Sequence, residues 1–464
     1  MKKFAILLLL LAMIPIISLG ESVALFPAKG ENDLWGYIDR TGEFIIAPQF
    51  DAALEFFGNY AQVKVYPIVD GEKDQYDHDC WGLIDRQGNF VLQPCYTING
   101  NDCGDVTGGR ETGILGILYP WDEEAEECGK MAFFDMETGF LSPFQWQEIH
   151  LWNEKGSPIL VWDENEMAGY ADPETGEMVI PCQFRDADAF YNGWALASLP
   201  YEDGNGEEWV LIGIDGAILH APEGYFLEQH DSRVSEGLIA VYDENHIASY
   251  MNLEGEIILA TGYEGTVYPF HEGFAVVNYN QYMDRNGNIL EGITARPEEN
   301  GGYDFKEGLT SVFYQGKPAA MNTDGEIEFV LEEENIFWLW NFMDNGLAWY
   351  MEWQMDQGTM WYEQRHYGLI DRQGNDITDG IWICTMEEGS PFSEGLAVVK
   401  PMDGQGLYGY LNEQGELALP TVYEEAQPFK NGLAYVVWDG NCGYIDREGA
   451  IIYSWSQYGE GDWG

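Results

Sequence analysis

One short phrase recurs along this chain and restricts the folds open to it more than any other feature. It is clearest as Trp35-Gly36-Tyr37-Ile38-Asp39-Arg40-Thr41-Gly42 and returns as Trp81-Gly82-Leu83-Ile84-Asp85-Arg86-Gln87-Gly88. Further good copies are Tyr367-Gly368-Leu369-Ile370-Asp371-Arg372-Gln373-Gly374 and Cys442-Gly443-Tyr444-Ile445-Asp446-Arg447-Glu448-Gly449. Weaker copies lie at Gly169-Tyr170-Ala171-Asp172, Ser249-Tyr250-Met251-Asn252, Tyr282-Met283-Asp284-Arg285, Ala320-Met321-Asn322 and Gly409-Tyr410-Leu411-Asn412. Two are degenerate, around Phe133-Phe134-Asp135 and Ile212-Gly213-Ile214-Asp215. A period of roughly 40 residues over most of the chain implies a tandem-repeat architecture. The copies add up to about eleven units, the last one truncated.

Each unit reads as three short strands. The phrase itself alternates with a period of two, as a strand does. It ends in a turn whose last residue is Gly (Gly42, Gly88, Gly287, Gly374), which suits a hairpin position of positive φ. An apolar strand follows, such as Phe44-Ile45-Ile46 or Met178-Val179-Ile180, stopped by Pro48, Pro94, Pro181 or Pro420. After a longer connection comes a second phrase, Phe-x-Glu/Asn-Gly and then Leu-Ala-Val-Val. Examples are Phe392 to Val399, Phe270 to Val277, Phe429 to Val436 and Phe190 to Ala197. The reading is all-β, a series of β-meanders with no room for a substantial helix. Units of this length stack radially, as in a propeller, or linearly, as in an open β-solenoid. Radial stacking is favoured because it protects sheet edges, and a break near 245 would divide the units into two lobes.

These residues resemble the bacterial WG-repeat family, whose units carry Trp-Gly-Tyr-Ile-Asp and Phe-x-Glu-Gly-Leu-Ala phrases. The resemblance covers nearly all of residues 25–464, with the stretch around 97–160 fitting least well. It implies a repeat fold and an interaction role, and it supplies no catalytic residue.

Residues 1–24 are expected to be a signal peptide. Lys2 and Lys3 precede an apolar run from Phe4 to Ile17, followed by small residues that suit cleavage after Gly20 or Ala24. The expected location is therefore extracellular, with no membrane insertion, since no second apolar stretch reaches about 18 residues. Asp and Glu number 80 against 21 Lys and Arg, a net charge of −59, which repels nucleic acid and anionic lipid. With 45% hydrophobic and 15% aromatic residues the chain still holds ample material for a core.

Export permits disulfides. Of seven cysteines, Cys80, Cys95, Cys103 and Cys128 fall in and beside the least regular unit, and Cys103 with Cys128 is the preferred pair. No metal or cofactor site emerges. The Asp/Asn-rich turns, such as Asp284-x-Asn286-Gly287-Asn288, lack the spacing of a helix-flanked calcium loop and read as hairpin turns. The scattered histidines form no zinc or nucleophile motif, so no catalytic residue is assigned.

One segment departs from the rhythm. Trp338, Trp340, Trp349, Trp353, Trp361 and Tyr362 crowd into 337–362, ahead of the Tyr367 copy. Trp349 falls in the Leu-Ala-Val-Val strand and reads as core, whereas Trp353, Trp361 and Tyr362 are candidate ligand-binding residues on an inserted hairpin. Flat aromatic faces with a polar edge stack on sugars and anchor peptides. The expected function is a secreted, non-catalytic scaffold that binds a protein or a cell-wall glycan. The alternatives are a passive surface or spacer protein and an extracellular glycan hydrolase.

Overall fold

The computed structural model describes residues 23–66, 68–69, 72–73, 81–98, 113–118, 130–151, 154–201, 206–229, 233–278, 280–295, 305–353, 365–378, 382–384, 390–401 and 406–457. Every regular element among them is a β-strand, and every strand pairing is antiparallel. Among the described residues eleven meander units follow one another, and at ten of the eleven sequence phrases a strand lies between two others of its unit. At the Phe133 phrase, Met131–Asp135 ends its sheet and has only the isolated bridges Met131↔Trp146 and Phe134↔Leu141 on its outer side.

Unit 10 shows the plan. A two-residue strand, Phe392–Ser393, leads into Leu396–Pro401, then Tyr408–Asn412, then Leu417–Tyr423, each paired with the next. The units therefore have up to four strands rather than three, and their boundary differs from the expected one. The Leu-Ala-Val-Val strand pairs in full register with the Trp-Gly-type strand that follows it, as in Leu396↔Asn412 to Val399↔Gly409. The longer connection after the apolar strand carries the chain to the next unit. Counted this way the last unit is complete, with strands Glu425–Ala426, Ala434–Trp438, Asn441–Ile445 and Ile451–Ser456. The first unit has three described strands, Phe26–Lys29, Trp35–Ile38 and Phe44–Phe50.

The prolines do not stop the apolar strand. Leu417–Tyr423 runs through Pro420, and Phe44–Phe50 through Pro48. Both lie in a bulge where Tyr408 pairs with Tyr423 and Tyr410 with Leu419, or Trp35 with Phe50 and Tyr37 with Ile46. Two extra residues on the outer strand must loop over the inner one, and proline fits there because its missing N–H is outside the ladder. This bulge also explains the Gly of the phrase. A Cβ on Gly36 would lie 2.5 Å from the Ile46 carbonyl oxygen, and one on Gly409 would lie 2.7 Å from that of Leu419.

Two turns organise each unit. In the first, a carboxylate or amide oxygen accepts backbone N–H groups two and four residues on. Asp371 Oδ1 accepts from Gln373 and Asn375 at 2.9 Å each, and Asn412 Oδ1 accepts from Gln414 at 3.0 Å and Glu416 at 2.9 Å. Asp and Asn interchange because only the acceptor oxygen is needed. The second is the Glu-Gly turn of the Phe-x-Glu-Gly phrase, with two consecutive left-handed residues (Glu236 at φ 52° and Gly237 at φ 78°). Ser235 and Leu238 exchange backbone hydrogen bonds of 3.0 and 2.9 Å across it, the pattern of a two-residue hairpin matched to the strand twist.

The core lies between units. In unit 10, Leu396 and Val398 pack toward unit 11 while Ala397 and Val399 pack toward unit 9, so both faces of the sheet are buried. That alternation explains why the strand reads as a continuous apolar run. Among the described residues, eleven such clusters each join two consecutive units. The eleventh joins the last unit to the first, with Leu433 and Tyr444 packed on Phe26, Ala28 and Ile38. The two ends of the array therefore meet. Position 245 falls between the paired strands Leu238–Asp243 and Ile247–Asn252, inside one unit, so it is no boundary between lobes. Shared clusters continue on both sides of that unit.

Candidate functional site

Unit 9 is built from Ile336–Leu339, Ala348–Trp353, Arg365–Ile370 and Trp382–Cys384. Its two central strands pair without a break from Ala348↔Ile370 out to Trp353↔Arg365. Trp338, Trp349 and the backbone of Trp353 therefore belong to framework strands, and the insertion is the segment 354–364 that leaves from their end. This corrects the expectation that Trp353 sits within the inserted hairpin: cross-strand pairing extends the framework to it. The Trp353 side chain, Trp361 and Tyr362 lie outside the described residues, as do Cys103 and Cys128. Cys182 and Cys442 are free thiols, and burial with nearby Asp163 pushes the Cys182 thiol up to about 11.

Aromatic side chains pack around the strands of this unit. Trp340 stacks on Tyr367 with centroids 5.3 Å apart, and Trp338 meets Trp340 at 6.4 Å and the edge of Phe313 at 5.7 Å. Trp349 is 2% exposed, stacks on Phe392 and donates its indole N–H to the Ser390 carbonyl at 2.8 Å. It is core, as its place in the strand implied.

The same strands bring together a polar group that motif reasoning missed. Glu352 stands opposite the buried His366, with 3.9 Å between Oε1 and Nδ1. Its other oxygen accepts from Asn335 Nδ2 at 2.7 Å. Asp376 accepts from the Tyr350 hydroxyl at 2.8 Å, and burial together with the negative charge of Asp376 raises the Glu352 carboxyl pKa. The available signal was a Glu inside a strand that is apolar in most other units.

The Asp-Arg turns are committed to the framework. Asp284 Oδ1 accepts from the backbone of Asn286 and Asn288 at 2.9 and 2.8 Å, and Oδ2 accepts from the Asn288 side chain at 2.9 Å. The arginines reach back to the Glu-Gly turn of the preceding unit. Arg447 donates to the Glu394 carbonyl at 2.6 Å, Arg372 donates to that of Glu307, and Arg285 pairs with the Glu236 carboxylate. The Glu side chains reach forward, with Glu236 and Glu394 accepting from the backbone N–H of Gly273 at 3.0 Å and of Gly432 at 3.0 Å. Successive turns are thereby linked along one side of the array. No group of three or more His, Cys, Asp or Glu side chains among the described residues is arranged to hold a metal ion. No helix among them is long and apolar enough to cross a membrane.

Five stretches of the chain match the WG containing repeat. They are residues 35–66, 81–97, 169–199, 249–281 and 408–442, and each begins in the middle strand of a unit. No curated protein matches the chain. Among solved structures it is similar to the computationally designed Ika8 protein, at 11% identity and a TM-score of 0.29, covering 67% of this chain and 96% of that one. A eukaryotic initiation factor is similar at 11% identity and a TM-score of 0.34, with 77% and 95% covered. BamB from Moraxella catarrhalis is similar at 12% identity and a TM-score of 0.28, with 52% and 76% covered. None of these likenesses bears on function.

Proposed function

We propose that this chain is an exported, non-catalytic scaffold of WG containing repeats that binds a protein or a cell-wall glycan. Its eleven units are arranged radially, in the manner of a propeller, and its N-terminal 24 residues are a signal peptide. The observation that carries the reading is the construction of unit 9. There the framework strands are complete up to Trp353↔Arg365, and the segment bearing Trp361 and Tyr362 is added beyond them. An insertion placed beyond intact pairing costs the fold little, and repeat scaffolds carry recognition on such segments. The contact between the first and last units supports radial stacking, since an open array would keep its two ends apart.

The test is retention of the exported chain on purified cell-wall material, compared with a Trp353→Ala/Trp361→Ala/Tyr362→Ala variant. Loss of retention at an unchanged melting temperature is expected. Undiminished retention of the folded triple variant would remove unit 9 as the site, and no retention of the wild-type chain on any wall fraction would remove the glycan ligand.

A further inference from the structure

Two peptide bonds near the N-terminus suit removal of a signal peptide equally well by sequence. Ser18-Leu19-Gly20 and Ser22-Val23-Ala24 each place small residues one and three positions before the cut. The fold distinguishes them, because Val23, Ala24 and Leu25 are already part of it.

Val23 is held by the latch that links successive turns. Arg86 of unit 2 donates from Nη1 to the Val23 carbonyl at 2.8 Å and from Nη2 to that of Gly58 at 2.6 Å. Its guanidinium carbon lies 5.1 Å from the centre of the Phe56 ring. The same kind of bond recurs where Arg447 reaches the Glu394 carbonyl at 2.6 Å, where Arg285 reaches that of Glu236 at 3.4 Å, and where Arg372 reaches that of Glu307. Each of these acceptors belongs to the preceding unit and lies two residues before the leucine that opens a long strand there, namely Leu396, Leu238 or Leu309. Leu25 is the corresponding leucine of unit 1, since Phe26 pairs with Ile38 as Ala397 pairs with Leu411. Val23 therefore occupies the latch position of the first unit.

The next two residues are committed as well. Ala24 packs against the cluster that joins the last unit to the first. Leu25 is 8% exposed and packs with Tyr37, Ile46 and Ala61 between units 1 and 2. A cut after Ala24 would take away an acceptor of Arg86 and the Ala24 contact. It would also turn the Leu25 nitrogen into an ammonium on a nearly buried residue, and an unpaired charge there is costly. A cut after Gly20 leaves all of these contacts in place.

We propose that the chain is processed at the Gly20–Glu21 bond, so that the mature protein begins at Glu21. The reaction is hydrolysis by an endopeptidase on the far side of the membrane. Water adds to the Gly20 carbonyl carbon, the bond to the Glu21 nitrogen breaks, and that nitrogen departs as the new α-amino group. Ser18 and Gly20 are the small residues such an enzyme accepts before the cut. The inference rests on the export reading and narrows its signal peptide from the first 24 residues to the first 20.

The experiment produces the whole chain in an exporting bacterial host and identifies the N-terminal peptide of the released protein by mass spectrometry. Wild type is compared with Gly20→Leu and Ala24→Leu, each of which puts a bulky residue before one of the two bonds. The expected terminus is Glu21 in wild type and in Ala24→Leu, with processing lost in Gly20→Leu. A wild-type terminus at Leu25, or processing blocked by Ala24→Leu alone, would overturn this inference and leave the export reading standing. A chain retained uncut in the cell would overturn both. The latch is read separately in the released protein by hydrogen exchange. Amides of the Phe26–Lys29 strand should exchange about tenfold faster in Arg86→Ala, the factor for losing a charged hydrogen bond. Unchanged exchange there would remove Val23 from the framework, and the proposal with it.

Discussion

Gly409→Ala tests the link between the repeat phrase and the fold most directly. Gly409 faces the bulge of the neighbouring strand, and a Cβ there would lie 2.7 Å from the Leu419 oxygen, 2.9 Å from Thr421 Cγ2 and 3.0 Å from the Pro420 carbonyl carbon. Two of these three atoms are backbone, so relief requires the bulge itself to move. Overpacking of this kind costs about 1–3 kcal/mol, and a backbone obstacle places it at the upper end. Reduced freedom of the unfolded chain returns about 0.4–1 kcal/mol, leaving a net loss of about 2 kcal/mol. Gly156→Ala is the control. Its φ is 82° and nothing lies within 4 Å of the added atom, so only the left-handed backbone is penalised. That costs about 1–2 kcal/mol before the same unfolded-state offset. Because units are coupled chiefly to their neighbours, hydrogen exchange is a better assay than a single melting curve. Amides of 408–423 should exchange about 30-fold faster in Gly409→Ala, the factor for about 2 kcal/mol, with distant units little changed. Unaltered exchange there, or an equal effect from Gly156→Ala at its own site, would refute the steric account.

Three further outcomes are expected. Asp371→Ala should cost about 1–2 kcal/mol by removing the acceptor of two backbone N–H bonds, while Asp371→Asn keeps that acceptor and should cost much less; both should retain any ligand, as paired denaturation and binding titrations will show. Phe429→Ala should cost about 3–5 kcal/mol, since the ring is 0% exposed between units 10 and 11, with the loss read from denaturant unfolding. Stability should also fall in acid. The Thr41 hydroxyl and the backbone N–H groups of Thr41, Glu43 and Gly42 hold the Asp39 carboxyl below its usual range. At Asp85, bonds from Asn89, Gln87 and Gly88 outweigh an opposing effect of burial. Folding favours both carboxylates, so their contribution is complete above about pH 4 and is lost as pH falls through the lowered folded-state values. Acid unfolding monitored by circular dichroism should be less steep in an Asp39→Asn/Asp85→Asn variant.

Trp349 and the paired Trp353 show where sequence reasoning succeeded and where it stopped. Trp349 could be placed in the core because it stands in a strand whose phrase recurs elsewhere. The limit of the framework at Trp353↔Arg365 could not be read, because it depends on how far two strands separated by 11 residues remain paired. The Glu352, His366 and Asp376 group was hidden for a related reason: its members come from different strands and turns, and no spacing along the chain marks them. Pro48 and Pro420 were misread as strand ends because a bulge is visible only when the partner strand is in view.

The number of units, their all-β character and the chemistry of the Asp-Gly and Glu-Gly turns were determined by the sequence itself. Each depends on residues within a few positions of one another, and repetition averages out the degenerate copies. The tertiary structure decided which strands share a sheet, which atoms force the Gly of the phrase, and that the last unit packs against the first. Those outcomes rest on contacts between residues far apart in the chain, such as Tyr444 with Pro27. A repeat has the same local pattern in the middle of an array as at its ends, so only the assembled chain could show how its ends meet.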